Sequence, residues 1–195
     1  MKVLLVAPYR RNLSLSGVRQ DIMPSEALLA LAAVLRENSH TPIIRNFTTN
    51  VTEAMDDPKQ HSYDTTIEII RKERISLVGI TFLFGGDFPD ALGLATHIRE
   101  NAPDVKIITG GIHATTFPHK ILSNCPEFDY IAIGEGESQM VEIANRTEAG
   151  ELSNLEIISG FAFRDVDGAI KINKERHLLD YDSLPMPAWD LLDFT

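Results

Sequence analysis

Apolar positions fall in short runs, and stretches with helical spacing separate them. Lys2–Ala7 is an apolar run that predicts a buried parallel strand. Ser25–Asn38 places Leu28, Leu29, Leu31, Ala32 and Leu35 on one helical face, with Ser25 as the expected N-cap and Pro24 keeping the preceding chain extended. Ile43–Phe47 reads as a second, more edge-like strand, Tyr63–Glu73 as a helix, and Ser76–Phe82 as an apolar third strand ending near Gly85-Gly86. Pro89–Asn101 is the next helix, with proline suited to its first turn. Val105–Thr109 and Tyr130–Ile133 are the fourth and fifth strands, separated by a short helix around His119–Asn124. A last helix runs from Glu137 to Glu148, and Gly150 ends it.

Strands alternating with helices in short units imply a parallel sheet with right-handed crossovers. The expected fold is therefore α/β and doubly wound. It is a five-stranded parallel sheet of flavodoxin-like or Rossmann-like order 2-1-3-4-5, with its switch point between the first and third strands. Beyond Gly150 the period becomes two: Gly160–Arg164 and Ala169–Ile172 flank Asp165-Val166-Asp167-Gly168, a hairpin signal. The expected division is a Rossmann-like domain over 1–150, a β-hairpin extension over 151–175 and a linker over 176–195. The apolar residues of Leu184-Pro185-Met186-Pro187-Ala188-Trp189 need a surface to pack on.

Ligands of such sheets bind beyond the carboxyl ends of the strands. The fourth strand discharges there into Gly110-Gly111-Ile112-His113-Ala114-Thr115, and the fifth into Gly134-Glu135-Gly136-Glu137. The loop after the first strand, from Pro8 through Ser14, Ser16 and Gly17, lacks the G-x-G-x-x-G of dinucleotide folds, and it resembles a flavodoxin phosphate loop only loosely. Ala7-Pro8-Tyr9 also lacks the acidic residues with which a receiver domain holds magnesium. Two carboxylates at the start of the last helix suit its dipole but repel a phosphate. The expected ligand is thus broad, close-fitting and rich in hydrogen-bond donors, such as a flat macrocycle bearing primary amides. His113 is open to three readings: a metal or cobalt ligand, an acid–base group, or a polar residue lining the turn. Cys125, without a charged neighbour to activate it, reads as a small filler.

A formal net charge of −10 argues against nucleic acid as a partner. One cysteine excludes a disulfide framework and any cysteine-ligated cluster or zinc site built by this chain alone. The N-terminus is too soon interrupted for a signal peptide, and no apolar run reaches membrane-spanning length, so the expected location is the cytoplasm.

Lys2–Pro8, Ala27–His40, Val78-Gly79-Ile80-Thr81, Gly110–Thr115, Phe128–Glu137 and Leu184–Leu192 occur in this order. As an ordered set they resemble the N-terminal cobalamin-binding domain of cobalamin-dependent radical S-adenosylmethionine enzymes. The resemblance spans nearly the whole chain. It implies a Rossmann-like domain that holds cobalamin over the carboxyl edge of the sheet, facing a catalytic barrel. That barrel binds an iron–sulfur cluster through CxxxCxxC and cleaves S-adenosylmethionine, in methyltransferases or in relatives of the anaerobic magnesium-protoporphyrin ester cyclase. CxxxCxxC is absent here, and the chain stops where the barrel would begin. The resemblance therefore implies a module without catalytic residues or a metal site of its own. The iron–sulfur cluster and S-adenosylmethionine would belong to the missing domain. The DxHxxG of methionine synthase-type domains is also absent, which implies base-off cobalamin without a histidine ligand.

By the resemblance, Thr81, Leu83, Gly85, Gly110, Gly111, His113, Ala114, Gly134, Glu135 and Gly136 line the corrin, with Glu135 or Glu137 accepting amide protons. The loop Pro8–Leu15, including Pro8, Tyr9 and Arg10, lies against its lower face, where Arg10 or Arg11 shields it. Cobalamin and the barrel are the expected partners, with no nucleic acid and no membrane. The rival reading is a non-catalytic flavodoxin-like binding or interaction domain without a cofactor. A flavin or nucleotide domain is disfavoured by the acidic turn.

Overall fold

A computed structural model describes residues 1–10, 25–48, 56–83, 85–173 and 180–192. Its centre is β1 (Lys2–Ala7), whose residues Val3 to Val6 are fully buried because β2 (Thr41–Asn46) and β3 (Leu77–Thr81) flank it and helices cover both faces. A parallel strand covered on both sides has no polar face to show, so its sequence reads as a continuous apolar run. β4 (Lys106–Gly110) and β5 (Tyr130–Ala132) extend the parallel sheet from β3.

The sheet does not stop there, and this corrects the expectation of five strands. β6 (Phe161–Arg164) pairs antiparallel with β5, and β7 (Ile170–Asn173) pairs antiparallel with β6. The result is one seven-stranded mixed sheet of order β2-β1-β3-β4-β5-β6-β7, in which the expected 2-1-3-4-5 core is intact. The physical reason is the open edge of β5, whose unpaired amides and carbonyls need partners. Phe161, Ala162 and Phe163 are all buried, as befits an interior strand. Gln139 fixes the junction by donating to the carbonyls of Ser159 and Gly160.

Helices α1 (Glu26–Glu37) and α6 (Glu137–Ala149) pack on one face of the sheet, over Leu5, Leu77, Ile108 and Tyr130. Helices α2 (Pro58–Glu73), α3 (Phe88–Asn101) and α5 (Pro118–Asn124) cover the other, over Leu4, Val78, Ile80, Ile107 and Ile131. α2 begins earlier than its apolar periodicity, because Pro58 occupies the first turn and Asp57 accepts from the Gln60 amide at 2.9 Å. A short helix, α4 (Ile112–Thr116), fills what the sequence presents as a turn. The Leu184–Trp189 segment finds part of its surface on α1. The Ala188 amide donates to the Leu29 carbonyl, Arg36 pairs with Asp190 at 2.7 Å, and Met186 and Trp189 stay exposed. Among the described residues, no helix is long and apolar enough to cross a membrane.

Candidate functional site

The α1/α6 face is incompletely filled near the carboxyl edge of the sheet. Leu5, Gly79, Ile108 and Tyr130 lie in register across β1, β3, β4 and β5. Two positions further along the strands, Thr81 is in register with Gly110. The strands thus present small residues just where a core would need bulk. The outcome is a cavity of ≈ 410 Å³, roofed by Ala27, Leu28 and Leu31 of α1, with Met140 of α6 at its floor. Its sheet wall is Gly79, Ile80, Thr81, Ile108, Thr109, Gly110 and Ala132. Its mouth is formed by Leu83, Gly111, Ile112, Thr115, Thr116, Gly134, Glu135 and Gly136.

The mouth is held open by backbone geometry. Gly111 has φ 105°, and a Cβ there would lie 2.1 Å from the Phe82 carbonyl oxygen, so only glycine lets β4 turn into α4 beside the end of β3. The Gly134 amide donates to Thr115 Oγ1 at 3.0 Å, tying the β5–α6 turn to α4. At the floor, Gly79 leaves space that Met140 and Leu5 both enter. A Cβ on Gly79 would meet Met140 Cε at 2.8 Å and Leu5 Cδ2 at 2.9 Å. A glycine inside a strand marks a close approach, and here it admits the Met140 methyl.

Two lining hydroxyls, one in the wall and one at the mouth, are turned to the main chain. Thr109 donates to the Ile80 carbonyl at 2.8 Å, and Thr116 to the Ile112 carbonyl at 2.7 Å. Glu135 is the carboxylate of the lining. Beside it, burial pushes the Glu137 carboxyl upward, and the charge of Glu135 adds to the shift. Its Oε2 is buried without a hydrogen-bond partner among the described residues.

Of the residues expected at the ligand, Thr81, Leu83, Gly110, Gly111, Gly134, Glu135 and Gly136 converge on this cavity. Gly85, His113 and Ala114 stand beyond its wall. Ala114 is fully buried in the opposite core, and the His113 ring sits among Phe82, Phe88 and Phe117 at centroid distances of 5.1–5.9 Å. Gly85 borders that histidine, whose Cε1 would lie 3.4 Å from an added Cβ. Pro8 is buried, Tyr9 packs on the α2/α3/α5 side, and Arg10 pairs with Asp87 at 3.7 Å. The rest of that loop, Arg11–Leu15 with Ser14, and likewise Ser16 and Gly17, lie outside the described residues. Cys125 is buried at the end of α5, and desolvation raises its thiol pKa, as suits a filler.

Sequence reasoning missed the floor and the roof. Gly79 carried a signal, a glycine in the middle of an apolar strand. Ala27, Leu28, Leu31 and Met140 carried none, because an apolar helical stripe looks alike over a core and over a cavity.

A family model described as the B12 binding domain matches residues 15–144, well over half of the chain. An uncharacterized methyltransferase of Pyrococcus horikoshii is 28% identical over 193 residues, which are 98% of this chain and 39% of that protein. The anaerobic magnesium-protoporphyrin IX monomethyl ester cyclase of Synechocystis is 30% identical over 105 residues, 54% of this chain and 20% of that protein. The chain thus spans well under half the length of either relative. The cobalamin-dependent S-adenosylmethionine radical enzyme OxsB, solved with aqua-cobalamin and S-adenosylmethionine bound, shares the fold. Its TM-score is 0.71 at 19% identity, over 97% of this chain and 24% of that one. With a glycine-edged cavity at the carboxyl end of its sheet and the family model laid across both glycine turns, the chain belongs to the B12-binding domain family.

Proposed function

We propose that this chain holds base-off cobalamin at the carboxyl edge of its sheet, as the cytoplasmic cobalamin module of a larger radical S-adenosylmethionine enzyme of methyltransferase or cyclase type. In that reading a separate barrel carries the iron–sulfur cluster and S-adenosylmethionine. The observation that carries it is the shape of the cavity. At ≈ 410 Å³ it lies toward the small end of drug-sized pockets, which span about 300–1,000 Å³, and it is far too small for a corrin with its amide arms. It is deep enough for a flat heterocycle and opens among glycines on which a macrocycle can rest. A displaced nucleotide base inside and the ring outside account for both features.

Gly110, Gly111, Gly134 and Gly136 present no side chain to the ring, so its edge and amide groups reach the backbone directly. Glu135 lines the mouth where those amides would lie, and a carboxylate is an acceptor for two or more N–H groups. Leu83 and Ile112, exposed at the mouth, give the ring an apolar flank and exclude water from it. The bound cobalt supplies methyl-carrying or radical chemistry, and the module's part is to bind and orient it. The relatives, a methyltransferase and a cyclase, support the class of parent enzyme.

The test is to mix the purified chain with methylcobalamin, desalt it and record the visible spectrum. Retained cobalamin with a yellow, base-off spectrum is expected. A retained red, base-on spectrum overturns the binding mode, and a colourless protein overturns cobalamin binding by this chain.

A further inference from the structure

The depth and polarity of the cavity floor bear on which corrinoids the site accepts, given the proposed reading in which the nucleotide base enters it. We propose that the site selects corrinoids by their lower base: it takes an apolar benzimidazole and discriminates against a purine, with Gly79 and Met140 setting the depth.

The floor is built from Gly79, Ile108 and Met140, under Leu28 and Leu31 of α1. Each of these side chains is apolar, and the Thr109 hydroxyl at the same level spends its proton on the Ile80 carbonyl at 2.8 Å. Strand amides at this level are paired within the sheet. A purine such as adenine carries an exocyclic amine that donates and ring nitrogens that accept hydrogen bonds from water outside the site, and the side chains of the floor offer neither an acceptor nor a donor in exchange. Unmatched polar atoms weaken burial about tenfold or more for each group left unpaired. A dimethylbenzimidazole has methyl groups in place of such atoms, and a methionine sulfur makes favourable contact with the edge of an aromatic ring.

Depth follows from how closely Met140 and Leu5 approach Gly79. The Met140 methyl lies over Gly79, where an added Cβ would stand 2.8 Å from it. Alanine at 79 must displace that methyl and the Leu5 methyl, 2.9 Å from the same Cβ, and so is expected to make the cavity shallower, while the mouth at Gly110, Gly111 and Gly134–Gly136 lies on other turns.

The experiment compares three probes on the full 195-residue chain by visible titration. They are cobalamin, its analogue with adenine as the lower base, and cobinamide, which has no base. Cobalamin is expected to bind at least about tenfold more tightly than the adenine analogue, with cobinamide also weaker than cobalamin. In Gly79→Ala the ratio of cobalamin to cobinamide affinity is expected to fall by about tenfold or more. Cobinamide binding by that variant reports that its fold and mouth persist. Met140→Phe, which fills the floor from the other side, should lower the same ratio. Equal affinity for cobalamin and the adenine analogue overturns base selection, as does a ratio untouched by both substitutions. In either case binding of cobinamide leaves the cobalamin-module reading standing. Failure of all three probes on the unaltered chain overturns that reading and this proposal together.

Discussion

The two faces of the sheet are built from the same strands and end differently. Toward α2, α3 and α5 they present Val78, Ile80, Ile107 and Ile131, and the large rings of Phe82 and Phe128 fill what remains. Toward α1 and α6 the neighbouring positions are Gly79, Thr81, Ile108, Gly110 and Ala132, and a cavity remains. Side chains alternate across a strand, so each pair of adjacent residues assigns one to stability and one to space. Ile80 and Gly79 differ by one position and serve opposite ends. The binding face is made by omission, and its complement carries the burial that the omission forgoes.

The largest effect expected from this contrast lies on the filled face. Phe128→Ala should destabilise the protein by about 3–5 kcal/mol, measured by urea unfolding, because it opens a hole in a fully buried cluster. Cobalamin affinity, measured where the variant is folded, should stay close to that of the unaltered chain. Gly111→Ala mixes the two faces, since its Cβ would meet the Phe82 carbonyl and its φ of 105° is unfavourable for alanine. It should cost about 1–3 kcal/mol of stability and weaken cobalamin binding as well. Gly110→Leu separates them: its Cβ position clears Ala132 at 3.6–3.7 Å, and the longer chain enters the cavity. A melting temperature within a few degrees of the unaltered chain, with affinity down about tenfold or more, is the expected pair of readings; tenfold is about 1.4 kcal/mol.

The smallest effect concerns Glu137. Its folded pKa is raised, so between the ordinary carboxylate range and that raised value the folded state binds more protons than the unfolded one. Stability therefore falls as pH rises through that window. Glu137→Gln should flatten the fall and raise the melting temperature at neutral pH by about 1 °C or more, an amount kept small by solvent screening. Thermal unfolding across a pH series checks it, and a steeper fall in the variant contradicts it.

The parallel core was legible because buried strands and covering helices have different periods. The order 2-1-3-4-5 and the switch point followed from short crossovers. The hairpin was legible as two strands, but alternation at Phe161–Arg164 does not name a partner, so its addition to β5 came only from the structure. α4 escaped because five residues, Ile112–Thr116, are too few to show a helical period. At the site, the glycines of both turns announced themselves, whereas His113 and Ala114 followed them in sequence but face the aromatic side and the opposite core. Position along a turn fixes proximity to an edge and leaves the face undecided.

The emptied α1/α6 face is where the ligand is expected to bind. The decisive experiment is calorimetric titration of cobalamin into the unaltered chain and into Gly110→Leu, side by side. Binding by the first and a tenfold or greater loss in the second, with both chains melting alike, is the result expected. Equal affinity in the two would place the ligand somewhere other than this cavity.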